Sequence, residues 1–162
     1  MTEEEYLAKL QEGLAEAAPV SSALLELSDE AVLNHPTSSQ LWLLRGHLVQ
    51  LGEGDPRWTL DDAVSSYDRA LALAPDDPEV HEALGYWYEV VDIQLELAAR
   101  YFSSALANGG GRDSYLGMAR VLAELGKKSE ALRVLEPGEC PFHQEPEVRE
   151  LIDEIQEGHW EP

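Results

Sequence analysis

Residues 63–88 read AVSSYDRALALAPDDPEVHEALGYWY. Ala63, Tyr67 and Ala70 fall on one face of a helix, Pro75 lies just beyond its end, and Leu84, Gly85 and Tyr88 share a face of the next helix. The stretch therefore reads as the second half of one helical hairpin feeding the first half of another. Upstream, Leu41, Leu44, Leu48 and Leu51 form one apolar stripe at helical spacing, and Leu60, Ala63, Val64, Tyr67, Ala70 and Leu71 form a second. Gly52 stops the first of these helices, while Thr59 with Asp62 resembles a capping box at the start of the second.

The pattern recurs downstream. Leu84, Tyr88 and Val91 precede Ala98, Phe102, Ala105 and Leu106; then Tyr115, Met118, Ala119, Leu122 and Leu125 precede Ala131, Leu132 and Leu135. Small residues recur where helices must approach closely: Gly85 and Ala119 in first helices, and Ala63, Ala98 and Ala131 in second helices. One such hairpin cannot cover its own apolar face, so hairpins stack on their neighbours and polar caps close the ends.

In this spacing the chain resembles the tetratricopeptide repeat (TPR) family, whose period is about 34 residues. Ala63, Tyr67, Ala70 and Pro75 are similar to that family's second helix and terminal proline, and Leu84, Gly85 and Tyr88 to its first helix. The resemblance spans roughly residues 39–136. It implies an all-α fold, a right-handed superhelical stack of antiparallel helix pairs (a TPR-like α-solenoid), with a C-terminal capping helix. The expected layout is a single domain over 1–162: a degenerate helix pair in 1–36, repeats in 39–75, 78–108 and 112–138, and a cap in 145–158. The leading helices are expected over roughly 3–17 and before His35-Pro36, and the cap on the stripe Val148, Leu151, Ile152, Ile155. Four joints depart from the repeat pattern. Glu53–Trp58 is an insertion expected to project as an exposed turn, Asp92-Ile93-Gln94 replaces the usual Gly-containing turn of the second repeat, Gly109-Gly110-Gly111 stands where proline is usual, and Pro137-Gly138 truncates the last second helix.

Composition narrows the partners. The 162 residues carry 32 carboxylates against 11 Lys and Arg, a formal net charge of -21. Such a surface repels phosphate backbones and anionic bilayers, so neither a nucleic acid nor a membrane is expected as partner. The acidity itself has three readings: a solubility device, adaptation to high salt, or complementarity to a basic protein. The scarcity of Lys (Lys9, Lys127 and Lys128) leans toward salt adaptation. One cysteine, Cys140, excludes an internal disulfide, and the acidic start with no long apolar run leads to the expectation of a cytoplasmic protein.

In the TPR family the first helices line a concave groove. The resemblance implies that Trp42, Val49, Gln50, Glu79, Glu82, Tyr86, Glu89, Val90, Asp113, Arg120 and Glu124 are the groove candidates here. An acidic surface with aromatic anchors suits a protein segment that is basic or mixed basic and apolar. Family members that hold a chaperone's C-terminal carboxylate use Lys, Arg and Asn, whereas Trp42, Gly46 and Ala83 stand here, so no such binding is expected. Trp58, in the turn Gly54-Asp55-Pro56-Arg57-Trp58, is either a partner contact or a hydrophobic staple on the helix begun by Thr59. Trp160 is expected to fray with the tail, and His35 to cap carbonyls at a helix end.

Enzyme chemistry is not expected. Asp61-Asp62 and Asp76-Asp77 sit at helix starts, where carboxylates compensate the dipole. Cys140 and His143 lack a second ligand pair for structural zinc, and the Gly109-Gly110-Gly111 run lacks the Lys-Ser/Thr of a phosphate loop. No metal or other cofactor is implied. The leading function is a protein-binding adaptor. The alternatives are a small TPR chaperone for a secreted or assembling client, and an acidic inhibitor or nucleic-acid mimic. Open repeat stacks also leave terminal apolar faces through which a homodimer could form.

Overall fold

The computed structural model describes residues 1–16, 19–52 and 54–161. Ala17, at the end of the expected first helix, and Glu53, at the start of the inserted turn, lie outside them. Among the described residues nine helices form two compact units. Residues 1–75 hold α1 (Glu3–Ala15), α2 (Ser22–Asn34), α3 (Ser39–Leu51) and α4 (Leu60–Leu73); residues 76–162 hold α5 (Pro78–Val90), α6 (Leu95–Ala107), α7 (Arg112–Glu124), α8 (Lys128–Val134) and α9 (Pro146–Gln156). In the first unit α3 pairs with α4 and α1–α2 pack on α3; in the second α5 pairs with α6, α7 with α8, and α9 closes on α7 and α8. No described helix is long and apolar enough to cross a membrane.

Local chemistry sets most helix boundaries. Thr2 and Glu5 cap α1 reciprocally, Thr59 and Asp62 do the same for α4, and the side chains of Ser21, Ser38 and Asp77 each accept a backbone N–H at the starts of α2, α3 and α5. Each bond satisfies a donor that the first helical turn leaves orphaned. Pro78 occupies the first turn of α5, where its missing N–H is harmless. Gly52 ends α3, and Gly126, at φ +76°, makes the left-handed turn between α7 and α8. The helix α8 stops at Val134, ahead of Pro137-Gly138, as its truncation in the sequence requires.

The second helices share one register. Counting from each first residue, Ala63, Ala98 and Ala131 stand fourth, and Tyr67 and Phe102 eighth, with Leu135 just past the end of α8 in the equivalent place. Ala70 and Ala105 stand eleventh, and all eight of these side chains are fully buried. The alternation of small and large lets backbones approach and then fills the space between them. In the first unit the Tyr67 ring lies so close to Gly46 that a β-carbon there would stand 2.3 Å from it.

The Tyr67 hydroxyl donates to Gln50 Oε1 at 2.7 Å and meets His47 Nδ1 at 3.1 Å. Its single hydrogen goes to Gln50, so the imidazole donates to it. Burial holds His47 below the usual histidine range and pushes the Tyr67 hydroxyl up. The folded state therefore prefers neutral His47, while the unfolded chain takes up that proton near about pH 6.5. Stability from this site is present above that value and declines as pH falls from it through the depressed folded-state range. His47→Gln, which keeps an N–H donor, is expected to flatten the loss of stability between about pH 7 and about pH 5 in urea unfolding. An unchanged slope would contradict the assignment.

Two expectations at the chain ends are corrected. Trp160 is half-buried against the cluster built on Leu122, Ala131, Leu135, Cys140 and Leu151, and Lys128 clasps the same segment through Glu161 at 2.9 Å and the Gln156 carbonyl at 3.2 Å. The indole has apolar surface to cover, and that holds the tail down. His35 does cap α2, but through its backbone N–H to Ala31; its ring instead meets the Met1 carbonyl at 3.2 Å and the edge of Tyr6.

Candidate functional site

Helices α3, α5 and α7 each run thirteen residues, so counting from their first residues compares their faces directly. Gly46, Gly85 and Ala119 stand eighth and are buried, which places Gly46 in the packing and not in a groove. Glu79 and Asp113 stand second, Tyr86 and Arg120 ninth, Gln50 and Glu89 twelfth, and Val90 and Glu124 last. These candidates, with Glu82 at the fifth position, follow one helical stripe. Trp42 and Val49 do not. Trp42 stands fourth, in register with His81 and Tyr115, and its indole donates to the Pro36 carbonyl at 2.9 Å; Val49 is 4% exposed in the core, in register with buried Leu122. Both sit on a first helix, but at positions that turn away from the stripe.

In the second unit the stripe is knitted together. The Arg120 guanidinium pairs with both carboxylate oxygens of Glu89, through Nε and through Nη2 at 2.9 Å, and the Glu89 side chain is only 3% exposed. That hydrogen bonding raises Arg120 above its ordinary range. Arg120 also lies 5.6 Å from the centre of the Tyr86 ring, whose hydroxyl donates to the Asp113 carbonyl at 3.2 Å and whose edge meets Phe102. Buried Ser114 donates to Glu82. Burial, together with the neighbouring charges of Asp113 and Glu79, raises the Glu82 carboxyl against the opposing pull of that bond. Glu89 and Arg120 are thus committed to each other, and Glu79, Asp113, Glu124 and Val90 are the exposed members.

At the N-terminal ends of α5 and α7 the stripe opens into a cleft of about 410 Å3 lined by Glu79, Glu82, Gly111, Arg112, Asp113, Phe142 and Glu145. Phe142 gives it an aromatic wall. Arg112 is held by Glu145 at 3.0 Å, with Asp113 at 3.5 Å and Glu147 at 3.6 Å beyond. Four carboxylates against one guanidinium leave the lining negative.

The turn before α4 does not project. Asp55 accepts from Ser22 at 2.8 Å, Arg57 reaches Glu26 at 2.7 Å, and the Trp58 indole donates to Asp29 at 2.9 Å, so the described part of the turn is tied back onto α2. Arg57 stacks over the Trp58 ring at 4.5 Å. Neither a free contact nor a simple staple describes Trp58; its polar edge found a carboxylate two helices away in sequence. Asp29 also holds Arg45 at 2.7 Å. Asp29→Ala is therefore expected to lower stability by about 2 kcal/mol, twice the effect of Trp58→Phe, measured by thermal unfolding; equal effects would show that the Arg45 bond contributes nothing.

Cys140 is buried and free, and burial raises its thiol. The His143 ring meets the Leu135 carbonyl at 2.6 Å, so both side chains serve the packing of the C-terminal segment.

No protein-family model and no curated relative matches the sequence. The structure is similar to the crystal structure of a thermophilic TPR protein of Thermus thermophilus, with a TM-score of 0.69, 18% identity, and coverage of 98% of this chain and 82% of that one. The fold is accordingly a TPR-like all-α helical repeat, in agreement with the resemblance carried by residues 63–88.

Proposed function

We propose that this chain is a protein-interaction module whose α5–α7 face receives a basic or mixed basic and apolar segment of another protein. The observation that carries this reading is the α5–α7 stripe. Its carboxylates Glu79, Glu82, Asp113 and Glu124 flank the aromatic Tyr86, and the Arg120–Glu89 pair and Phe102 hold that ring from two sides. Fixed aromatics contribute contact energy with little ordering cost, and the surrounding charge steers a cationic partner and fixes its register. The reading asks for no cofactor and no catalytic group. It treats the -21 charge as partly functional.

The test is affinity capture from the source lysate at low and moderate salt, comparing wild type with Glu79→Lys/Asp113→Lys. Both positions are exposed, so the fold should be retained, which far-UV circular dichroism checks. A partner held by wild type and lost by the variant is expected. Equal capture by both would place recognition elsewhere on the chain.

A further inference from the structure

Resting on that reading, we infer that Arg112 is an intrachain competitor in the acidic cleft: its guanidinium holds the place on Glu145 that an arginine side chain of the partner takes. Carboxylates alone would not identify a ligand. Here the cleft of about 410 Å3 already holds one, a guanidinium supplied by the chain itself. Arg112 Nη1 lies 3.0 Å from Glu145 and 3.6 Å from Glu147, both at the start of α9. Its described ion pairs include neither Glu79 nor Glu82, so the α5 side of the cleft keeps its negative charge.

The resident guanidinium is weakly held. Arg112 is the first residue of α7, where the helix dipole opposes a cation, and no side chain caps that end. Its side chain is 40% exposed, so water screens the pair with Glu145. Arg112 Nε is buried yet makes no hydrogen bond among the described residues, with Asp113 standing 3.5 Å away. A buried donor left unbonded destabilises the position that Arg112 occupies. An arginine from another chain carries none of these constraints. It need not begin a helix, and it enters a lining that offers Glu79 and Glu82 on one side and Glu145 on the other, with Phe142 to carry its aliphatic stem.

The probe is a blocked pentapeptide with one arginine between leucines, compared with the same peptide carrying norleucine in the arginine's place. Nuclear magnetic resonance follows the amides of Gly111, Asp113 and Glu145 in the full chain, for wild type, Arg112→Gln and Arg133→Gln. Arg133 is exposed on α8 and does not line the cleft, so its variant makes the same change in net charge elsewhere. Arg112→Gln is expected to bind the arginine peptide about threefold to fivefold more tightly than wild type, the effect of removing an exposed ion pair. Arg133→Gln is expected to bind like wild type, and Glu145→Gln added to Arg112→Gln to abolish the gain. A gain equal to that of Arg133→Gln, a gain that survives Glu145→Gln, or no gain while these amides still respond would overturn the competitor proposal and leave the interaction reading standing. Amides that respond to the arginine peptide in neither wild type nor Arg112→Gln, or that shift equally with norleucine, would overturn both.

Discussion

Phe102→Ala is expected to destabilise the 76–162 unit by about 3–5 kcal/mol, at the upper end for a core truncation. The ring is fully buried and is approached from two helices by residues with no side chain to move in. A β-carbon on Gly85 would stand 2.9 Å from it and one on Gly117 only 2.3 Å. Deleting the ring leaves a void bounded by backbone, which cannot collapse without shifting both helices. The converse substitution gives an internal control. Gly117→Ala alone is expected to cost about 1–3 kcal/mol through overpacking, offset in part by better helix propensity, and to become harmless or favourable when residue 102 is alanine. Hydrogen exchange at the α6 amides reads these changes within the unit. A loss below about 1 kcal/mol for Phe102→Ala would show that the contact is slack.

The second large effect lies at Arg120. Arg120→Ala leaves the Glu89 carboxylate buried without its counter-charge and removes the cation above Tyr86. Because the Glu89 side chain is almost wholly enclosed, the expected loss is about 3 kcal/mol; the Arg120 side chain is itself 29% exposed, which keeps the figure at the low end for a broken buried pair. Replacing both partners, Arg120→Met with Glu89→Leu, is expected to restore most of the stability, since the penalty belongs to the orphaned charge and not to the lost attraction. Denaturant unfolding of the two single variants and the double variant checks this. A double variant as unstable as Arg120→Ala would mean that the pair is needed for reasons beyond charge compensation.

The core was written in the sequence because it repeats. Ala63, Tyr67 and Ala70, with Ala98, Phe102 and Ala105, occupy identical helical positions, and periodicity exposes such residues without any knowledge of what they touch. The capping box at Thr59 was legible for the same reason: it depends on residues three apart. What joins separate helices was harder to see. The Arg120–Glu89 and Ser114–Glu82 pairs lie 31 and 32 residues apart, close to one repeat; for the ion pair, an opposite charge displaced by one repeat was the available signal. Trp42, Val49 and Gly46 were misplaced because a face is fixed by counting from the cap, and size or polarity alone does not reveal the count. The turn at Asp55–Trp58 read as an arm because its three anchors on α2 carry no periodicity at all.

That turn bears on the order of events as the chain folds. Ser22, Glu26 and Asp29 meet Asp55, Arg57 and Trp58 only after α3 has been laid between them, so these bonds close a loop of some thirty residues. Contacts of that kind pay their closure entropy late, and they are expected to be absent from the transition state for folding. In stopped-flow chevrons Asp29→Ala should then raise the unfolding rate and leave refolding nearly unchanged, making the turn a latch on the native state's lifetime.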